Sequence, residues 1–152
     1  MTRAAADALL LELDDRMGLP GLHLDRNGCC RLAFDGRWLV TVAFMPGGRL
    51  FLHCPIGVPA TPEALDAAVM MTMLQGSFMG RGAAGGTLAI GPDRRPCVQR
   101  DLAIIETDGS ALHAALEQLL NTAETWSARL QAPAPVSISL KNKTSPFRKA
   151  LA

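Results

Sequence analysis

The sequence contains no tyrosine, and aromatic residues make up only 5% of its 152 residues. A packed core must therefore be built from aliphatic side chains and methionine, and the hydrophobic fraction of 49% is sufficient for that. A chain of this length buries roughly two thirds of the surface that its unfolded form exposes. We therefore expect a folded globular domain rather than a disordered chain.

Long apolar runs are also missing. The longest stretch, residues 67–74, is far shorter than the roughly 20 residues that a membrane-spanning helix requires. Asp7 and Glu12 interrupt the first apolar segment, where a secretory signal would need an unbroken apolar region. These absences predict a cytoplasmic protein that does not insert into a membrane.

Paired cysteine motifs and metal-ligand spacings are absent as well. The sequence has four cysteines, none in a C-x-x-C pair, and the adjacent Cys29 and Cys30 are poor disulfide partners. His53 and Cys54 are neighbours on a predicted strand, so their side chains leave opposite faces and cannot easily share a metal. We predict free thiols, no metal, no cofactor and no enzyme activity. A Cys–His pair assembled in space is the enzymatic alternative.

Charged residues are unevenly distributed along the chain. Residues 133–152 carry four cations, Lys141, Lys143, Arg148 and Lys149, and no acid. The rest holds 11 basic and 14 acidic side chains, a net charge of −3, which argues against nucleic acid as the main partner. We predict an α+β domain over residues 1–132 and a mobile basic tail over residues 133–152.

Hydrophobic periodicity predicts eight elements in the order α-β-β-β-α-β-β-α. Helical spacing covers residues 4–17 and 110–130, and Thr61-Pro62-Glu63 is a good start for a helix that ends near Leu74 or Phe78. Short turns such as Asp35-Gly36 favour antiparallel strand pairing. Strands are predicted at residues 29–34, 38–45, 50–56, 87–90 and 97–104. This order predicts an α+β fold, a twisted antiparallel sheet packed by helices, with Trp126 in the core.

The second predicted helix is apolar on nearly every side. Such a helix must be buried all round, and a domain this small can cover only one of its faces. A second copy of the chain is the simplest partner for the other face. The methionines around this helix, Met70, Met71, Met73 and Met79, leave two roles open, because methionine fills cores and dimer contacts but also suits adaptable binding surfaces.

The glycine-rich segment 80–86 is similar to a phosphate-binding loop only in composition. Phosphate-binding loops leave a strand and open a helix, whereas this segment leaves a predicted helix and enters a strand, without a lysine at the expected place. We interpret it as a connector. The alternative is a small-molecule site in a small α+β regulatory or ligand-binding domain.

Several short motifs follow one another along residues 8–130. They are Leu10-x-x-Leu13, Gly18–Leu22, Asp25-x-Asn27-Gly28-Cys29, Leu32–Asp35, Leu50-Phe51-Leu52, Ile56-Gly57, Leu74-Gln75-Gly76, Gly86–Ala89 and Trp126. Together with the element order, they resemble the class I type III secretion chaperones, the Tir chaperone or CesT-like family. No single motif is diagnostic, and the resemblance comes from their order.

This resemblance implies a bacterial cytoplasmic homodimer without catalysis or cofactor. It implies that the partners are secreted effector proteins, each bound in extended form through an N-terminal segment, with the export ATPase as a further partner. A structural subunit of the secretion apparatus is the other alternative.

We expect the effector-binding groove between the first helix and the first three strands. Its predicted contact residues are Leu9, Leu13, Leu32, Phe34, Val40 and Val42. The predicted dimer interface consists of Val69, Met70, Met73, Leu88 and Ile90.

Overall fold

The computed structural model describes residues 2–57 and 67–131, which form three α-helices and a five-stranded antiparallel sheet. The helices are α1 (Arg3–Met17), α2 (Ala67–Ser77) and α3 (Gly109–Gln131). The strands are β1 (Cys29–Phe34), β2 (Trp38–Met45), β3 (Arg49–Pro55), β4 (Thr87–Ile90) and β5 (Pro96–Ala103). Short 3₁₀ segments, Phe78–Ala83 and Ile104–Glu106, follow α2 and β5.

The predicted α+β class and the order of its elements are confirmed. Strands β3 and β5 each begin and end one residue earlier than predicted. The predicted start of the second helix at residues 61–63 and the predicted tail at residues 133–152 lie outside the described residues. None of the helices in the described part is long and apolar enough to cross a membrane.

The strands are arranged in the order β1-β2-β3-β5-β4, so β1 and β4 form the two edges of the sheet. The turn between β1 and β2 has positive φ angles of 52° at Asp35 and 62° at Gly36, which is the geometry of a tight hairpin. The resulting register sets Leu32 opposite Val40, and Val42 opposite Leu52. One face of the sheet is therefore continuously apolar.

Helix α3 covers this apolar face, contacting β3 and β5, and α1 packs against α3. The buried stripe of α3 follows the helical period and comprises Leu112, Leu116, Leu119, Ala123 and Trp126. It belongs to the same core cluster as the buried residues of α1 and of the strands. The prediction that Trp126 lies in the core is confirmed, since its side chain is 2% exposed.

Carboxylates of α1 hold distant backbone groups in place. The Glu12 side chain accepts a hydrogen bond of 2.7 Å from the backbone N–H of Gly109, at the start of α3. Asp7 accepts from Leu24 N–H at 2.9 Å, and Asp14 accepts from Gly21 N–H at 2.8 Å. A negative charge at a helix N-terminus is stabilising, so α1 caps α3 while it also fixes the segment that leads into β1.

Candidate protein-interaction surfaces

Helix α2 leaves most of its large apolar side chains exposed. Met73 is buried, whereas Leu74 and Phe78 are 67% and 70% exposed. We define the α2 face as the exposed apolar side chains of α2, of the following 3₁₀ segment and of the end of β4: Met70, Met71, Leu74, Phe78, Met79 and Ile90. Scattered exposed apolar residues are common, but a concentration of this kind is typical of surfaces that contact another molecule.

Two glycines allow the buried side of α2 and the following 3₁₀ segment to pack closely against the core. A Cβ atom at Gly76 would lie 2.3 Å from Cζ2 of Trp126, and one at Gly82 would lie 2.5 Å from the carbonyl oxygen of Gly76. The Trp126 indole N–H donates a hydrogen bond of 2.7 Å to the Gly82 carbonyl. Because the indole packs directly on the α2 backbone, the exposed α2 face is supported by a fully buried side chain of α3.

Ser77 ties the end of α2 to the edge strand β4. Its hydroxyl accepts a hydrogen bond of 2.9 Å from Leu88 N–H and donates one of 3.2 Å to the Leu88 carbonyl. Those backbone groups point away from β5, so they are the groups that an added strand would need. At Leu88, the β4 edge is therefore already occupied by the chain itself.

Within the residues that the structure describes, the opposite edge, β1, is open at its centre. Asp25 uses both outward backbone groups of Cys29: its carboxylate accepts from Cys29 N–H at 3.0 Å, and its own N–H donates to the Cys29 carbonyl at 2.7 Å. Antiparallel pairing alternates along a strand, so the backbone groups of Arg31 and Ala33 also point outward. These groups have no hydrogen-bond partner within residues 2–57 and 67–131.

The three buried thiols, Cys30, Cys54 and Cys97, are unsuited to nucleophilic chemistry. Burial raises the pKa of Cys54 to about 12 and also raises the pKa of Cys30 and Cys97, so these groups remain protonated near neutral pH. Burial lowers the pKa of His53 on β3. In the part of the chain that the structure describes, no group of three or more His, Cys, Asp or Glu side chains is placed to hold a metal ion.

Five of the six predicted effector-binding residues lie in the core rather than along a groove. Phe34 is half-buried. The other five are at most 5% exposed and belong to one core cluster: Leu9, Leu13, Leu32, Val40 and Val42. The helix and the strands therefore pack against the same apolar interior, and the space in which we expected a groove is filled. In this structure, these five side chains are not available to a bound protein.

The predicted dimer residues divide into two groups. Met70 and Ile90 are each 39% exposed and lie on the α2 face, and Val69 is half-buried. Met73 and Leu88 are 3% and 5% exposed, because they pack into the core of their own chain. The structure therefore brings the α2 segment and β4 together, as the sequence suggested, but turns different side chains outward.

Sequence reasoning missed several members of these surfaces. Leu74 and Phe78 were placed in the second helix without a role, although the steps of four residues from Met70 to Leu74 and from Leu74 to Phe78 already indicated a shared side. The open backbone of Arg31 and Ala33 could not be found locally, because it depends on which strand ends up at the edge of the sheet. Ser77 carried no signal, since its partner lies eleven residues further along the chain.

The chain matches one protein-family model. The model of the Tir chaperone protein (CesT) family matches residues 8–127. This range extends from the first half of α1 to the last turns of α3. A search of curated proteins found no match.

Solved structures share the fold. The ExsC–ExsE complex has a TM-score of 0.72 and 22% identity, over 84% of this chain and 95% of that chain. The HopA1–SchA chaperone–effector complex has a TM-score of 0.71 and 16% identity, over 83% and 95%. The ExoT–SpcS complex from Pseudomonas aeruginosa has a TM-score of 0.61 and 18% identity, over 82% and 98%.

Proposed function

The chain belongs to the Tir chaperone protein (CesT) family, and we propose that it binds the N-terminal region of one or more secreted effectors in extended form and keeps them competent for export. It is a type III secretion chaperone for effector proteins. The finer statement that the bound segment is extended rests on one observation, the open backbone of β1 at Arg31 and Ala33 within the described residues. That the segment is N-terminal is what the family resemblance implies.

An open strand edge suits a chaperone that must accept an unfolded segment. Backbone hydrogen bonds to an added strand do not depend on the client's side chains, so different effectors can use the same edge. Ala33 is opposite Leu39 in the register, and both are exposed. We propose that client side chains on one face of the added strand contact Ala33 and Leu39, and that those on the other face contact the half-buried Phe34. These three contacts replace the buried residues of the sequence prediction.

The α2 face is the proposed dimer interface. Its side chains are apolar, with methionine and phenylalanine prominent, and interface cores are enriched in both. The occupied backbone of Leu88 favours side-chain contact over strand addition at this edge. A stable interface should bury on the order of 1,200–2,000 Å² in total.

We further propose a cytoplasmic protein without catalysis, cofactor or nucleic-acid partner. The raised thiol pKa values and the connector role of the glycine-rich segment support this. A Cβ at Gly86 would lie 2.3 Å from the Gln99 carbonyl oxygen, so that glycine serves close packing rather than an open ligand cradle. Binding to the export ATPase stays a prediction, and a permanent stoichiometric partner would favour a structural subunit instead.

The test starts with affinity capture of the tagged chain from its own bacterium while secretion is active, followed by limited proteolysis and mass spectrometry. The protected segment of a captured protein is then synthesised and its affinity measured. In the Ala33→Pro variant, the outward N–H is lost at a position where an edge strand tolerates proline, and we expect at least tenfold weaker binding.

Ala33→Val is the matched control, because it keeps the N–H and suits a strand. Equal affinities for Ala33→Pro and the unmodified chain, with both folded, would contradict strand addition at β1. Capture of secreted proteins whose protected segments are not N-terminal would contradict the proposed mode of binding.

A further inference from the structure

A groove separate from the α2 face lies between the β1–β2 turn and the outer side of α3, and Phe34, at the end of β1, is its only residue that is also a proposed client contact. The groove encloses about 340 Å³ and is lined by Phe34, Asp35, Trp38, Glu117, Leu120, Asn121 and Glu124. We call it the acidic groove. Its apolar members, Phe34, Trp38 and Leu120, are half-buried, and its three carboxylates are exposed.

The backbone fixes this combination of aromatic and acidic side chains. Phe34 and Trp38 are paired across the hairpin, and the left-handed φ of 52° at Asp35 sets that carboxylate in the turn beside them. Glu117 and Glu124 are seven residues apart, so they stand about 10 Å from each other along one side of α3. Among the residues that the structure describes, no lysine or arginine lines the groove.

Other charges near the groove leave its acidic character in place. The His113 ring lies 3.9 Å from the Glu117 carboxylate, one turn back on α3. The Arg37 guanidinium stacks over the Trp38 ring, 4.7 Å from its centroid, and lines a neighbouring cavity instead. A ligand of this groove should therefore combine an apolar anchor with positive charge.

We propose that the acidic groove binds residues 146–151 of the same chain, with Phe147 as the apolar anchor and Arg148 and Lys149 facing the carboxylates. This short stretch holds two of the four cations that follow residue 132, beside the sole aromatic residue there. Its composition is the complement of the groove: one aromatic ring for the apolar floor, and two cations for an acidic rim.

The chain is long enough to make this contact. Fourteen residues separate Gln131, the last residue of α3, from Pro146, and they can span up to about 46 Å. The groove begins about 10 Å back along α3, at Glu124, and ends about 21 Å back, at Glu117. A short tether gives an effective concentration of order millimolar, so even a weak contact would be populated.

The test uses the full chain with the photoreactive amino acid p-benzoylphenylalanine in place of Phe147, which keeps an aromatic ring at the anchor. After irradiation, mass spectrometry should locate the crosslink in residues 34–38 or 117–124 of the same chain. The double variant E117K/E124K should lower that yield at least fivefold, as should 1 M salt. The matched control D15K/E106K, which reverses two exposed acids outside the groove, should leave it unchanged.

A charge-exchanged variant distinguishes a lost electrostatic attraction from misfolding of E117K/E124K. The quadruple variant E117K/E124K/R148E/K149E should recover the crosslink, because the attraction is restored with opposite signs. Crosslinks mainly to the α2 face or to another surface, or no dependence on E117K/E124K, would overturn the proposal. Crosslinks only between labelled and unlabelled copies in a mixed sample would overturn the assignment to the same chain. These readouts need no effector, so they stand or fall separately from the proposed function.

Discussion

Helix α3 buries a regular apolar stripe, whereas α2, with a larger share of apolar residues, leaves most of them in contact with solvent. The two helices meet where the Trp126 ring of α3 touches Gly76 of α2. Apolar composition is therefore a poor guide to burial within one chain. A periodic stripe, as in α3, predicts packing inside the domain, while a helix apolar on all sides predicts a partner beyond it.

Among the substitutions that test this contrast, Trp126→Ala in α3 is expected to have the largest effect on stability. It removes a buried ring together with its hydrogen bond to Gly82, so the free energy of unfolding should fall by about 3–5 kcal/mol. Urea denaturation followed by circular dichroism measures it. Phe78→Ala, at a 70% exposed aromatic residue, should change the stability of the monomer little, and an equal loss in both variants would remove the distinction between the helices.

On the α2 side, Leu74→Asp should act on association instead of folding. Burying a carboxylate in the proposed dimer interface should weaken dimerisation by about 2–4 kcal/mol, as for a central interface residue. Sedimentation equilibrium measures the dissociation constant, with Leu11→Asp, at an exposed leucine on α1, as the matched control. A chain that is monomeric before any substitution would refute the proposed interface.

Ser77→Ala tests the junction between α2 and β4. The variant leaves the outward N–H and carbonyl of Leu88 without their partner, which should cost about 1–2 kcal/mol of folding free energy. Thr72→Ala is the control, since the Thr72 hydroxyl only bonds within its own helix, to Ala68. Hydrogen exchange at the Leu88 amide should accelerate in Ser77→Ala but not in Thr72→Ala. Unchanged exchange in Ser77→Ala would show that the Ser77 hydrogen bonds are not needed to protect the Leu88 amide.

The smallest effect on stability is expected for His53, which lies on the face of the sheet opposite the apolar face that α3 covers. Burial lowers its pKa in the folded state, so protonation favours the unfolded chain. The stabilising contribution of neutral His53 is complete above about pH 6.5 and declines as the pH falls below that ordinary value. His53→Gln should therefore lose less stability than the unmodified chain between pH 7.5 and pH 5. Urea denaturation at each pH measures the two stabilities, and an identical pH dependence of His53→Gln and the unmodified chain would contradict the assignment.

Local patterns were sufficient to predict the order of the elements, the β1–β2 hairpin and the buried position of Trp126. They could not separate core from binding groove. Leu32 and Val40 alternate as any half-buried strand does, and only the packing of α1 and α3 over the sheet decides that they face inward. The same limit applies to Met73, which looks like its exposed neighbours until the side of α2 that meets the core is known.

The hydrogen bond between Glu12 and Gly109 joins positions 97 residues apart, and it links the first of the described helices to be translated to the last of them. While ribosomes still hold α3, the apolar side of α1 has no helix to pack against, and the sheet lacks its cover. Contacts of such large sequence separation form slowly, because a long loop must close first. The nascent chain should therefore stay protease-sensitive until residues near Trp126 have left the ribosomal tunnel, and cooperative folding should begin only then.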